Sequence, residues 1–207
     1  MKTIKKLIPK IFKEPIKKFF EILYWCFSYR KKSLILVSDY GIKMIVHPSD
    51  RRPLKILYTN ASNIKEFAAL SILTQKGNTV FDVGANRGVI STYLSHLVGN
   101  TGFVYAFEPV EETFWLLQET LAINHTTNTH PHQIALTNTT GKETMYIPEN
   151  ADTLSALAQH KWTDDRSIAT EIVEAETLDS FCERNSIKHI HVMKIDVEGF
   201  EENVLKG

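Results

Sequence analysis

The sequence has little cysteine. Cys26 and Cys182 are the only two in 207 residues, and they lie far apart in unlike surroundings, so no disulfide framework is visible. No His/Cys/Asp cluster has metal-ligand spacing, and no metal is assigned. Long hydrophobic runs are also missing. The most apolar stretch, FFEILYWCF, carries Glu21 and is shorter than the roughly 20 residues a membrane span requires. No small-residue cleavage site follows it, which argues against a secretory leader, and a cytoplasmic setting is the default expectation. There is no internal repeat and no low-complexity stretch. A G-x-G-x-x-G dinucleotide fingerprint is absent as well. Finally there is no excess of either charge, since 24 basic residues balance 24 acidic ones.

That balance hides an asymmetry. Residues 1–32 hold ten Lys/Arg against Glu14 and Glu21, a net +8, so the remaining residues carry −8. The basic end and the acidic body are expected to do different jobs. Within Ile4–Phe27 the apolar residues Leu7, Ile8, Ile11, Phe12, Ile16, Phe19, Phe20 and Leu23 recur at three and four, with lysines between them. This is an amphipathic helix pattern, interrupted by Pro9 and Pro15. It suits peripheral contact at an inner membrane surface, with Tyr24 and Trp25 at the interface, and equally a helix packed on the domain. Nucleic-acid binding is not expected, because the basic residues sit in an apolar-rich helix and the body is acidic.

From Ser33 the pattern changes. SLILVS and IKMIVH flank Asp39-Tyr40-Gly41 as a β-hairpin, and residues 63–75 read as a helix with Asn63 as N-cap and Gly77 as stop. Residues 33–76 thus lead into a main domain over 77–207 and are placed to cover its ligand site. In that domain strands are expected at 79–83, 103–107, 133–136, 142–147, 169–175 and 190–195. Helices are expected at 88–98, 110–124, 178–185 and from Phe200 onward. The strand at 190–195 is a continuous apolar run, the signature of burial on both faces. Alternating strands and helices predict an α/β, Rossmann-like fold: an open, mostly parallel sheet with helices on both faces.

In such folds ligands bind beyond the carboxyl ends of the strands. Three strands place polar residues there. Asp82, Gly84, Asn86 and Gly88 follow the first strand, Glu108 the second, and Asp196 and Glu198 the strand at 190–195. The glycines are expected to let the turn close and to let the backbone approach a ligand. Glu108, twenty residues after Gly88, is suitably placed to accept hydrogen bonds from ribose hydroxyls. Each acid also has a plain reading as a solvated strand end or a helix-dipole partner.

Taken in order and spacing, VFDVGANRG, AFEP, TLDSF and KIDVEGFE resemble the FkbM-type methyltransferases, class I enzymes dependent on S-adenosyl-L-methionine. The resemblance covers about residues 60–207. It implies that Asp82 and the loop Gly84, Ala85, Asn86 and Gly88 hold the methionine part of the cofactor. Glu108 then binds the ribose, and Ala135 and Leu136 lie near the adenine. Asp196 and Glu198 face the substrate, with Asp196 the leading candidate for general base and His160, His189 and His191 the alternatives. The acceptor class it implies is a hydroxyl, often on a saccharide or glycan. Family members continue with further strands after the point where this sequence ends at Gly207, so the C-terminal part of the sheet is expected to be missing. Two other readings stay open at this level: a truncated domain serving as a membrane-surface interaction module, and a nucleotide-dependent oxidoreductase. The polar segment 148–167, with Trp162, is expected to shape the acceptor pocket.

Overall fold

The computed structural model describes residues 34–38, 40–46, 64–148 and 168–207. The expected helix within 1–32, the cap at Asn63, His160 and Trp162 lie outside the described residues.

Two short strands, β1 (Leu34–Val37) and β2 (Lys43–Val46), form the expected antiparallel hairpin. The first helix among the described residues, α1 (Ile64–Leu73), packs through Phe67 against Tyr40 of the hairpin turn, ring centroids 4.3 Å apart, and against Tyr93 at 4.5 Å. Tyr93 lies on α2 (Val89–Val98), which follows β3 (Thr79–Val83). Then come β4 (Phe103–Phe107), α3 (Glu111–Ile123), β5 (Thr129–His132), β6 (Ala135–Leu136), β7 (Gly141–Pro148) and β8 (Ile168–Glu176). The chain closes with α4 (Leu178–Arg184), β9 (Val192–Ile195) and α5 (Glu201–Lys206).

The central sheet is parallel, in the order β5-β4-β3-β9. Side-chain alternation along these strands sorts the core into two faces. Val80 and Val104 point toward α1 and α2, where they meet Leu70, Leu94 and Val98, while Ala106 meets Leu117 and Leu121 of α3. Phe81, Val83 and Phe107 point the other way, toward Phe181 of α4 and Val204 of α5. Helices therefore cover both faces, as the α/β pattern requires.

The structure corrects three expectations. The strand placed at 133–136 shrinks to Ala135–Leu136 and leaves the parallel sheet. It pairs instead with β8, in a separate three-stranded sheet with β7. The strand that extends the parallel sheet is β5, whose sequence THPH contains a proline. Proline has no N–H to give a ladder, and β5 is an edge strand among the described residues, where that deficit is tolerated. Finally, β9 is half-buried along its whole length, because among the described residues it pairs only with β3.

The hairpin docks away from the carboxyl ends of the strands. The Lys43 N–H donates to Asn124 Oδ1 at 2.9 Å, and Asn124 Nδ2 donates to the Lys43 carbonyl at 2.7 Å. Asn124 closes the C-terminal end of α3, whose other end follows Glu108. The first turn of α1, with Glu66, reaches the charged rim described next.

Candidate functional site

The strand order reverses between β3 and β9: the chain runs outward from β3 to β4 and β5, then returns to the other side of β3. A crevice outside the carboxyl ends is expected at such a switch point. Asp82, Gly84, Asn86, Glu108 and Asp196 all gather there.

Glu108 is the best defined. It is 4% exposed, and both carboxylate oxygens accept backbone hydrogen bonds: Oε2 from the Asn86 N–H at 3.0 Å and Oε1 from the Val110 N–H at 3.1 Å. Burial pushes its pKa up to about 7, and the two N–H groups and the Lys194 ammonium only partly offset this. One side chain therefore ties the loop after β3 to the start of α3.

The loop itself is wound tightly. Gly84, Asn86 and Gly88 all have positive φ, at 77°, 50° and 78°. Asparagine is among the few side chains that tolerate this region, so Asn86 fits where a second glycine is often found. The loop N–H groups are spent internally. Those of Gly84 and Ala85 donate to the Phe107 carbonyl, that of Asn86 to Glu108, that of Arg87 to Asn86 Oδ1 and that of Gly88 to the Ala85 carbonyl. A loop with its donors so engaged is not a phosphate nest. The space left by the missing side chains is also filled by the protein. A Cβ at Gly84 would collide with the Asp196 carbonyl, and one at Gly88 with Leu117 of α3. The glycines allow the turn and the packing of β9 and α3 against it, where ligand approach was expected.

Asp82 is fully buried. Ser91 Oγ of α2 donates to its Oδ2 at 2.6 Å, and its Oδ1 lies 3.2 Å from Lys194 Nζ, as an ion pair and not an aligned hydrogen bond. Lys194 is the residue that sequence reading missed. It stands directly across from Asp82 in the β3–β9 register, and its side chain is 8% exposed. Its ammonium donates to the Gly84 carbonyl at 2.9 Å and lies 4.0 Å from Asp196 Oδ2. Burial works against its charge, but Asp82, Asp196 and Glu66 around it outweigh that, so its pKa sits above the usual lysine value. The signal was present in VMKI: a lone lysine in an apolar strand must find a partner. Glu66 was missed for a different reason. It lies outside the main domain, on α1, and its carboxyl pKa is raised chiefly by burial, with Lys194 opposing and Asp196 and Asp82 adding to the rise.

Asp196 carries an open carboxylate, 65% exposed, at the end of β9. Glu198 lies in the following turn with φ 52°, beside Gly199 at 100°. Glu201 Oε1 accepts the N–H groups of Val197 and Gly199 and so fixes this turn. The two remaining sequence-proposed cofactor contacts are core residues. Ala135 packs with Val110, Met145 and Val173, and Leu136 with Phe81, Phe107 and Phe181. Two of the three histidine alternatives, His189 and His191, lie away from the site. His191 Nδ1 accepts the Thr79 N–H at 3.0 Å, at the amino end of β3, and His189 packs against His191. TLDSF also has a structural account: Thr177 is the N-cap of α4, accepting the Ser180 N–H, and Phe181 is fully buried. Among the described residues no group of His, Cys, Asp and Glu is placed to hold a metal ion, and no helix is long and apolar enough to cross a membrane.

Comparison with known proteins gives a consistent result. A curated relative, Methyltransferase 1 from Beauveria bassiana (strain ARSEF 2860), is 26% identical over 143 residues, covering 62% of this chain. The chain spans 57% of that relative's length. Partial structural likeness extends to Pyrococcus horikoshii TYW2, solved with MeSAdo, at 22% identity over 51% of this chain and 37% of that one, TM-score 0.40. A SAM-dependent methyltransferase from Aquifex aeolicus is 33% identical over 34% of this chain and 35% of its own, TM-score 0.28. The model of the methyltransferase FkbM domain matches residues 82–207, from the buried aspartate of β3 through α5 to Gly207, and the chain therefore belongs to the FkbM methyltransferase family.

Proposed function

We propose that the site binds S-adenosyl-L-methionine and directs its methyl group to a hydroxyl, on a saccharide or glycan-like acceptor. The observation that carries the cofactor reading is Glu108. Each of its oxygens holds one backbone N–H and keeps a further acceptor lone pair. That pair of acceptors matches the vicinal diol of a ribose, and a carboxylate so poorly hydrated gains from hydroxyl donors. The oxidoreductase alternative falls with the family assignment.

The bound cofactor supplies an electrophilic methyl group on a sulfonium. The chain's part is alignment and proton handling. The loop Gly84–Gly88 and the buried Asp82 form the floor beside the methionine tail, with Asp82 acting from behind the loop through Ser91 and Lys194. Val110 with Ala135 and Leu136 supports the adenine side. Asp196, exposed at the rim, takes the proton of the acceptor hydroxyl, and Glu198 faces the acceptor from the next turn. The saccharide acceptor rests on the family resemblance and on the open rim around Asp196.

Calorimetric titration with S-adenosylhomocysteine tests the cofactor reading. Binding is expected in the wild type and at least about tenfold weaker in Glu108→Ala, which loses charged hydrogen bonds to the ligand. Folded wild-type protein that binds neither S-adenosylhomocysteine nor S-adenosylmethionine sinks it. Transfer of labelled methyl to a panel of saccharides, with RNA in parallel, tests the acceptor. Asp196→Asn is expected to reduce turnover by ~10²-fold or more while leaving cofactor binding unchanged. Label appearing on RNA and not on sugar would replace the acceptor class.

A further inference from the structure

The geometry points to Lys194 as the positioning residue of the cofactor loop, a role that rests on the cofactor reading above. Three observations carry it. First, its ammonium is the link that joins the carboxyl ends of β9 and β3 by side chain: it reaches Asp82 Oδ1 at 3.2 Å and donates to the Gly84 carbonyl at 2.9 Å. Second, Gly84 begins the turn whose third residue, Asn86, gives its N–H to Glu108. Fixing the Gly84 carbonyl fixes the Gly84–Ala85 peptide plane, whose N–H donates to the Phe107 carbonyl, and so restrains the next peptide, which gives the Asn86 N–H to Glu108. Third, the same ammonium holds Asp82 and lies 4.0 Å from Asp196, so the loop side and the acceptor side of the crevice share one cation. The strand register makes this possible, because Lys194 stands opposite Asp82 and two residues before Asp196, on one face of β9.

A lysine that only neutralised Asp82 would be a stability element. A positioning lysine has a local signature as well. Amide hydrogen exchange in the ligand-free protein reads it at Asn86, with Val80 and Val104 in the central strands as internal controls for global opening. In Lys194→Met the Asn86 amide is expected to exchange about tenfold faster relative to those controls, the equivalent of one lost charge-assisted hydrogen bond. S-adenosylhomocysteine affinity is expected to fall by a similar factor. Leaving Asp82 buried without its cation destabilises the single variant, so Asp82→Asn/Lys194→Met serves as the second. It removes the uncompensated charge and is expected to regain stability while the Asn86 signature persists. A folded variant of either kind with wild-type Asn86 protection overturns the role. Failure of the cofactor reading looks different: the wild type then binds no S-adenosylhomocysteine, while the exchange contrast at Asn86 stands.

Discussion

Glu108 and His132 are neighbours at the carboxyl ends of β4 and β5, where the Glu108 N–H donates to the His132 carbonyl at 3.1 Å, and they respond to pH in opposite directions. Glu108 has its folded-state pKa raised from 4.5 to about 7, mainly by burial. Between those values the folded protein holds a proton that the unfolded chain has released, so its contribution to stability is lost as pH rises through the window. A shift of that size corresponds to a loss on the order of 3 kcal/mol. His132 has its pKa lowered, chiefly by burial against the aromatic layer, so its contribution is lost as pH falls below the ordinary histidine range. Denaturation of ligand-free protein between pH 5 and 8 separates the two. Wild type is expected to lose stability relative to Glu108→Ala as pH rises from 5 to 8. Parallel curves for the two proteins would show that Glu108 is ionised throughout. Asp82, Glu108 and Asp196 were legible as residues because strand ends flagged them. Lys194 was passed over because a lysine in an apolar strand was read only for its hydrophobic neighbours.

At the level of elements, α4 shows how a short motif serves the site without touching it. Thr177 caps the helix, Glu176 pairs with Arg184 through 3.1 and 2.6 Å contacts, and Phe181 inserts edge-on against Phe107 and His132, both at 4.8 Å. Arg184 holds the Glu176 carboxyl below its ordinary pKa. Phe181 thus supports the strand ends from which Glu108 and the loop project. Phe181→Ala is expected to cost about 3–5 kcal/mol in chemical denaturation, through lost burial and the cavity left behind. Thr177→Ala is expected to cost about 1 kcal/mol, the worth of one cap. A Phe181→Ala cost below that of Thr177→Ala would place the core elsewhere. The elements with strong periodicity, β3, α2, β4, α3 and β8, lie within a residue or two of their expected bounds. β5 was illegible because Pro131 and two histidines mask a strand that needs only one good hydrogen-bonding edge.

At the scale of the molecule, the site depends on the meeting of β3, β4 and β9 at the switch point, with α1 adding Glu66 from the segment just before β3. A ligand that bridges these parts and binds only the folded state stabilises the whole fold by mass action. S-adenosylhomocysteine at a hundredfold excess over its dissociation constant is expected to add about 2.7 kcal/mol to wild-type stability. Little of that gain is expected in Glu108→Ala at the same concentration. A thermal shift of equal size in both proteins would place the ligand away from Glu108.

The sequence alone determined the α/β class, the order of most elements, the strand ends at which acids gather and the family. Those follow from local signals: side-chain period, turn residues and short motifs with fixed spacing. Tertiary structure decided what each residue at the rim touches. It assigned the glycines to packing against Asp196 and Leu117, moved Ala135–Leu136 into a second sheet, placed His191 at the opposite end of β3, and set Lys194 between Asp82, Gly84 and Asp196. The physical reason is that charge pairing and close approach depend on register between strands more than a hundred residues apart, which no local pattern encodes.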